Sequence, residues 1–147
     1  MARLYYEDMD VGAEVTPLVK NPTMEQMIRW QGVTGDVNRV HYDKEFAQSV
    51  GWPGPIVHGA LKWQFLIQML TDWIGPEGTI RKVGCQHRGM DLPGDTLNCG
   101  GEIVRKYLDG DHYCLECEIY IVNPKGEQTS RGKAVVFVPS RVQERAP

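Results

Sequence analysis

A chain of 147 residues with 41% apolar and 24% charged residues is long enough for about one ordinary domain with a single buried core, and a second domain is not expected. Its net charge of −3 is mixed evenly along the sequence, which points away from nucleic acid and from anionic membrane surfaces as partners. The opening MARLYYEDMD lacks a basic start followed by an apolar stretch, so no secretory signal is read and a cytoplasmic protein is expected.

The first element is a short extended piece around Val15 to Val19. In TMEQMIRWQGV, Thr23 followed by Gln26 has the pattern of a capping box. Met24, Met27, Ile28 and Trp30 supply its inward face, and Gly32 and Gly35 end the helix. Asp43 caps a second, short helix, KEFAQSV, which Gly51 terminates. Next, Pro53 and Pro55 forbid helix before about Ile56, while Gly75 and Pro76 stop it after Ile74. Apolar residues fall nearly all around that span, so a buried central helix is expected. Lys62, Gln64, Gln68 and Asp72 argue against a membrane span. Trp63, Phe65 and Trp73 read as core in preference to the lining of a ligand tunnel.

From Thr79 onward the pattern changes to strands of about ten residues separated by turns at LPGD (92–95), LDGD (108–111) and NPKG (123–126). Such connections suit hairpins, and one buried helix with a strand meander gives an α+β domain whose antiparallel sheet wraps the helix. The four cysteines include a C-x-x-C, Cys114 and Cys117, but the alternation of DHYCLECEIYIV places them on a strand facing opposite ways. Neither a metal site nor a redox disulfide suits that geometry. Cys85 and His87 face the same way on a strand, yet two soft ligands without two more make a poor zinc site, and no metal is assigned.

The chemistry-bearing residues concentrate in GDVNRVHYD, residues 35–43, where Asp36, Asn38 and His41 lie within six positions on a polar loop between two helices. Taken singly, Asp36 is as readily a turn residue or helix cap, and His41 a solvated surface residue. A second histidine–glycine pair, His58-Gly59, follows in PIVHGAL at the start of the long helix. A glycine N–H at an exposed first turn is a suitable donor to a substrate oxygen, and the helix dipole favours negative charge there. His58 at that position can also simply bond backbone. Basic residues such as Arg81, Lys82, Arg88, Arg131 and Lys133 read as solvated strand faces, with binding of a ligand's phosphates as the functional alternative.

The stretch VTGDVNRVHYDKEFAQSVGWPGPIVHGAL resembles the signature of the MaoC-like dehydratases, also called (R)-specific enoyl-CoA hydratases, and LPGDTL at 92–97 is similar to their later Pro-Gly-Asp turn. The resemblance spans most of the chain. It implies the hot-dog fold and reversible addition of water to an enoyl thioester, with Asp36 and His41 as the catalytic pair and Asn38 as its orienting partner. It also implies that Gly59 and His58 lie on the substrate. Asp and His have reference pKa values of about 3.9 and 6.5, suited to passing protons near neutral pH. Coenzyme A enters as part of the substrate and no separate cofactor is implied. The expected assembly is a homodimer or a heterodimer with a related hot-dog subunit. Two departures stand out: Arg39 occupies a position where the family usually has proline, and CQHRGMDLPGD lacks the aromatic and proline common before the turn. Arg39 is expected at the mouth of the site, reaching solvent, a carboxylate such as Asp43 or Glu45, or the ligand. Two rival readings remain, a hot-dog thioesterase and a non-catalytic acyl-binding subunit. Thiol release measured apart from loss of enoyl absorbance separates the first, and the joint presence of Asp36, Asn38 and His41 argues against the second.

Overall fold

The computed structural model describes residues 4–144. In chain order the elements are a 3₁₀ turn Tyr6–Asp8, β1 (Glu14–Lys20), α1 (Met24–Thr34), a second 3₁₀ turn Arg39–His41, α2 (Lys44–Ser49), α3 (Gly59–Ile74), β2 (Thr79–His87), β3 (Leu97–Asp109), β4 (His112–Val122), β5 (Gln128–Phe137) and α4 (Arg141–Glu144). The five strands form one sheet in the order β1-β3-β4-β5-β2, and every neighbouring pair is antiparallel. Adjacent β3, β4 and β5 follow the two hairpin turns read from LDGD and NPKG. In the second of these, the Asn123 side-chain oxygen accepts the N–H groups of Lys125 and Glu127.

The sheet curves over α3. Alternate residues of its inner face, among them Leu97, Cys99, Ile103, Leu115, Cys117, Ile119, Ile121, Ala134 and Val136, meet Leu61, Phe65, Leu66, Met69, Leu70 and Ile74 of the helix. This is the hot-dog arrangement of an α+β fold. Cys117 belongs to that core, whereas Cys114 lies outside it with its thiol toward the His112 carbonyl, so the two point to different sides of β4. Burial pushes the Cys117 and Cys99 thiols up to about 12, which makes them inert packing residues.

The helix ends depart from expectation in instructive ways. In α1, Thr23 accepts the Gln26 N–H at 3.1 Å, as its cap pattern predicts, but the helix runs through Gly32 and stops at Gly35, whose φ of 74° only glycine adopts freely. Its expected inward residue Ile28 is 56% exposed, while Met27 and Gln31 face the core. Central helix α3 starts at Gly59, not Ile56, because the preceding N–H groups are taken elsewhere: Ile56 bonds the Val40 carbonyl and Val57 the Asp91 carbonyl. Nor is α3 buried all round. Trp63, Gln64, Gln68, Thr71 and Asp72 are exposed along one side, so the sheet covers half of the helix and leaves an outer face. Phe65 is core as expected, and Trp73 packs against that core while also bordering an open cavity of about 720 Å³ with Leu4, Met9, Leu18 and Met69. No described helix is long and apolar enough to cross a membrane.

Candidate active site

The site is assembled where three segments meet: the loop after α1, the 3₁₀ turn before α2, and the first turn of α3. Gly35 turns the chain out of α1 and delivers Asp36 with its side chain about half exposed. Asn38 caps the 3₁₀ turn, its side-chain oxygen accepting the Val40 N–H at 3.2 Å. That cap winds the next residues so that His41 points back across the loop. Asn38 therefore acts here on the backbone that presents His41, with its carbonyl oxygen engaged in the turn.

His41 is largely buried, and its Nδ1 lies 2.8 Å from the Ile56 carbonyl oxygen. A carbonyl can only accept, so Nδ1 carries the proton and, in the neutral ring, Nε2 presents a bare lone pair. That lone pair faces the Asp36 carboxylate at 3.9 Å, too far for a direct hydrogen bond. Two acceptors at this separation are bridged naturally by one water donating a hydrogen to each, with legs of about 2.8 Å. His58 stacks on His41 with ring centroids 3.7 Å apart and planes 22° from parallel. It is fully buried, its Nε2 3.4 Å from the Asp36 carbonyl and its Nδ1 without a partner. Burial first, then the adjacent His41, holds the His58 imidazole below the usual histidine range, which favours a neutral platform under the His41 ring.

One ligand atom from each of Asp36, His41 and His58 lies within 4.8 Å of the others, the spacing of a candidate cation site. The two imidazoles are stacked, however, so their in-plane lone pairs run side by side and do not converge on a point. The arrangement fits a proton relay better than chelation.

Gly59 is the first residue of α3, and its N–H has no acceptor among the described residues. Arg39 is turned away from any such role: its guanidinium bonds Asp43 at 2.6 and 3.1 Å and lies 4.5 Å over the Phe46 ring. The Phe46 N–H and then Arg39 hold the Asp43 carboxyl below the usual range, consistent with its place as the cap of α2. Four of the basic residues, Lys82, Arg88, Arg131 and Lys133, gather around a shallow cavity of about 550 Å³ over β2, β4 and β5.

A second flank of Gly59 went unread in the sequence. A methyl group built on Gly59 would lie 2.8 Å from Cδ2 of His87, so that imidazole packs directly on the glycine. Behind it, the buried Lys62 ammonium pairs with the buried Asp91 carboxylate at 2.7 Å. Thr129 donates to Asp91 at 2.8 Å, and Lys62 also donates to the Gly89 carbonyl at 3.0 Å. One signal could have found Lys62: it stands three and four residues before Phe65 and Leu66, on the apolar stripe of α3.

A family model described as MaoC like domain matches residues 8–112. Enoyl-CoA hydratase ChsH3 of Mycobacterium tuberculosis is 30% identical over 92 residues, covering 60% of this chain and 32% of that protein. The matched region is thus about a third of the length of that curated relative. Among solved structures, the (R)-hydratase from A. caviae involved in PHA biosynthesis superposes with a TM-score of 0.81 at 22% identity, covering 90% of this chain and 99% of that one. The ChsH1-ChsH2 complex from Mycobacterium tuberculosis gives a TM-score of 0.77 at 21% identity over 88% of this chain and 98% of that chain. At these identities the two structures establish the fold.

Proposed function

Because the chain belongs to the MaoC-like dehydratase family, we propose that it catalyses reversible hydration of the 2,3 double bond of an enoyl thioester, coenzyme A-linked, giving the (R)-3-hydroxyacyl form. The observation that carries this reading is the 3.9 Å gap between Asp36 Oδ2 and His41 Nε2, two proton acceptors set to hold one water. The pair takes a proton from that water as its oxygen attacks C3. The electron pair of the double bond moves toward the thioester oxygen, where the free Gly59 N–H and the positive end of α3 oppose the developing charge. Collapse of the enolate places the proton from the pair on C2, so water is added across the bond and the site returns to its starting state. Dehydration is the same path reversed. No cofactor is required, since coenzyme A arrives with the substrate.

The reading includes pairing with a second hot-dog subunit, the same chain or a related one. Among the described residues the outer edge of β2 has no strand partner, and half of α3 is uncovered. The test is to follow crotonyl-CoA by loss of enoyl absorbance and, separately, by thiol release, on protein whose mass is measured in solution. Absorbance loss without thiol release supports a hydratase; thiol release at the same rate would show a thioesterase, and neither signal at any acyl length would show a non-catalytic subunit.

A further inference from the structure

We propose that His87 is a second hydrogen-bond donor to the acyl oxygen, placed across Gly59 from the Asp36–His41 pair and held there by the buried Lys62–Asp91 pair. This inference rests on the acyl-thioester reading above. The imidazole of His87, the last residue of β2, lies against the first turn of α3. A methyl group at Gly59 would stand 3.2 Å from its Nε2, so that atom borders the same opening as the Gly59 N–H.

Which nitrogen carries the proton follows from its neighbour. Nδ1 lies 2.9 Å from Oγ of Ser130, a fully buried hydroxyl with no other side-chain hydrogen bond among the described residues. A buried hydroxyl must place its hydrogen somewhere. His87 Nδ1 is the acceptor at hand, so Ser130 donates and the neutral ring keeps its proton on Nε2. Among the described residues, the hydrogen-bond partner of that nitrogen is the Cys85 sulfur at 3.8 Å, a weak acceptor that a thioester oxygen would readily replace. Burial, and after it the Lys62 charge, holds the His87 imidazole below the usual histidine range. A neutral imidazole donating to a carbonyl is an established way to polarise it without moving a proton.

The groups around His87 come from every side: Lys62 from α3, Cys85 from its own strand, Asp91 from the loop after β2 and Ser130 from β5. Lys62 is a positioning residue. Its ammonium ties the Gly89 carbonyl, two residues beyond His87, to α3, and Asp91 in turn accepts Val57 N–H through its backbone carbonyl just before His58-Gly59. This cluster also occupies the stretch CQHRGMDLPGD where the chain departs from its family pattern.

The test uses the full chain in two arms. In the first, His87→Phe keeps a flat ring without a donor, and His87→Gln returns an amide N–H near the Nε2 position. With crotonyl-CoA, His87→Phe is expected to lose about 10² to 10³ in kcat with KM within a few-fold, and His87→Gln to recover much of the loss. Wild-type kcat in a folded His87→Phe protein overturns the proposal. The second arm needs no turnover: ¹⁵N NMR of the imidazole should show His87 neutral with the proton on Nε2, and that resonance should shift on saturation with butyryl-CoA, which has no double bond to hydrate. A proton on Nδ1, or resonances unmoved by butyryl-CoA, overturns it. A chain that fails to hydrate crotonyl-CoA while its Nε2 still answers to butyryl-CoA would sink the hydratase reading and keep this one. For the positioning pair, Lys62→Met with Asp91→Leu should raise the His87 titration midpoint, because Lys62 acts on it more strongly than Asp91; an unchanged midpoint removes Lys62 from the account.

Discussion

The two flanks of the first turn of α3 contrast in almost every property. On one side, Asp36 and His41 sit five residues apart on a loop, partly open to solvent, with no direct bond between them. On the other, Lys62 and Asp91 lie 29 positions apart in sequence, are fully buried and touch at 2.7 Å. The open flank leaves the Asp36 carboxylate and His41 Nε2 without a direct bond to each other, as the proposed hydration requires. The closed flank satisfies most of its groups, which makes it a rigid support. A buried pair backs one side of Gly59 and an open pair stands on the other.

The largest expected effect separates those roles. Asp36→Asn removes a proton acceptor of the same size from a half-exposed loop, so hydration should fall by about 10² to 10⁴-fold while thermal unfolding barely changes. His41→Ala should cost a similar factor, and the double variant little more, since groups acting as a unit are not additive. Lys62→Met alone should do the opposite kind of damage. It strands a buried carboxylate, for which a loss of about 3–5 kcal/mol of stability is expected, and adding Asp91→Leu should return most of it. If Lys62→Met unfolds no more easily than wild type, the two flanks are not divided as described.

Gly59→Ala probes both flanks at once. Its methyl group would lie 2.8 Å from the His87 ring, which must move, and it narrows the approach to the Gly59 N–H. Turnover should drop by at least tenfold, with a smaller loss in His87→Phe than in wild type if the two share one oxygen site. The measurement is kcat on crotonyl-CoA in the four-way comparison.

How much of this was legible in the sequence follows the same division. Thr23, Asn38 and Asp43 act within two or three residues of themselves, so the cap patterns at Thr23 and Asp43 could be read, as could the hairpin turns at 108–111 and 123–126 and the closeness of Asp36 to His41, whereas the turn at 92–95 joins β2 to β3, which lie apart in the sheet. The start of α3 could not, because the bond that holds Val57 extended comes from Asp91. Which side of α3 stays open could not either: apolar residues all around the helix leave the choice to the sheet, and Trp63 ends 37% exposed. Lys62 looked like a mark of polarity on a soluble helix, and only its distant partner explains it. The role of Asn38 as a turn cap was hidden behind the stronger suggestion of a family motif.

A smaller effect concerns acid. His58 and His87 both have folded pKa values held below the usual range by burial, so the unfolded chain binds more protons than the fold as pH drops. Stability is then fully present above about pH 6.5 and declines as pH falls through the folded values. Thermal midpoints measured from pH 8 to pH 5 should fall at the acid end, and His58→Gln should flatten that fall. A midpoint independent of pH across the range would show that His58 is not buried in the way its stack on His41 requires.

The smallest effect is expected at Arg39, where the open flank meets its departure from the family pattern. The backbone there is already suited to proline. Arg39 begins a 3₁₀ turn, its N–H makes no backbone hydrogen bond among the described residues, and Asn38 before it is extended at φ −62° and ψ 128°, the region a residue preceding proline favours. Arg39→Pro therefore loses no ladder bond and restricts the unfolded chain, while giving up the contacts with Asp43 and Phe46 on an exposed surface. The two changes oppose each other, and the thermal midpoint should stay within about 5 °C of wild type. Since the guanidinium lies on Asp43 and not on Asp36 or His41, kcat on a good substrate should stay within a few-fold, with any larger change appearing in KM or in preference among acyl groups. Arg39 would then be an element of the turn and of the surface around it. If Arg39→Pro instead abolishes turnover as Asp36→Asn does, the arginine releases Asp43 during the reaction and belongs with the open flank, and the division between the two sides of Gly59 would need a third member.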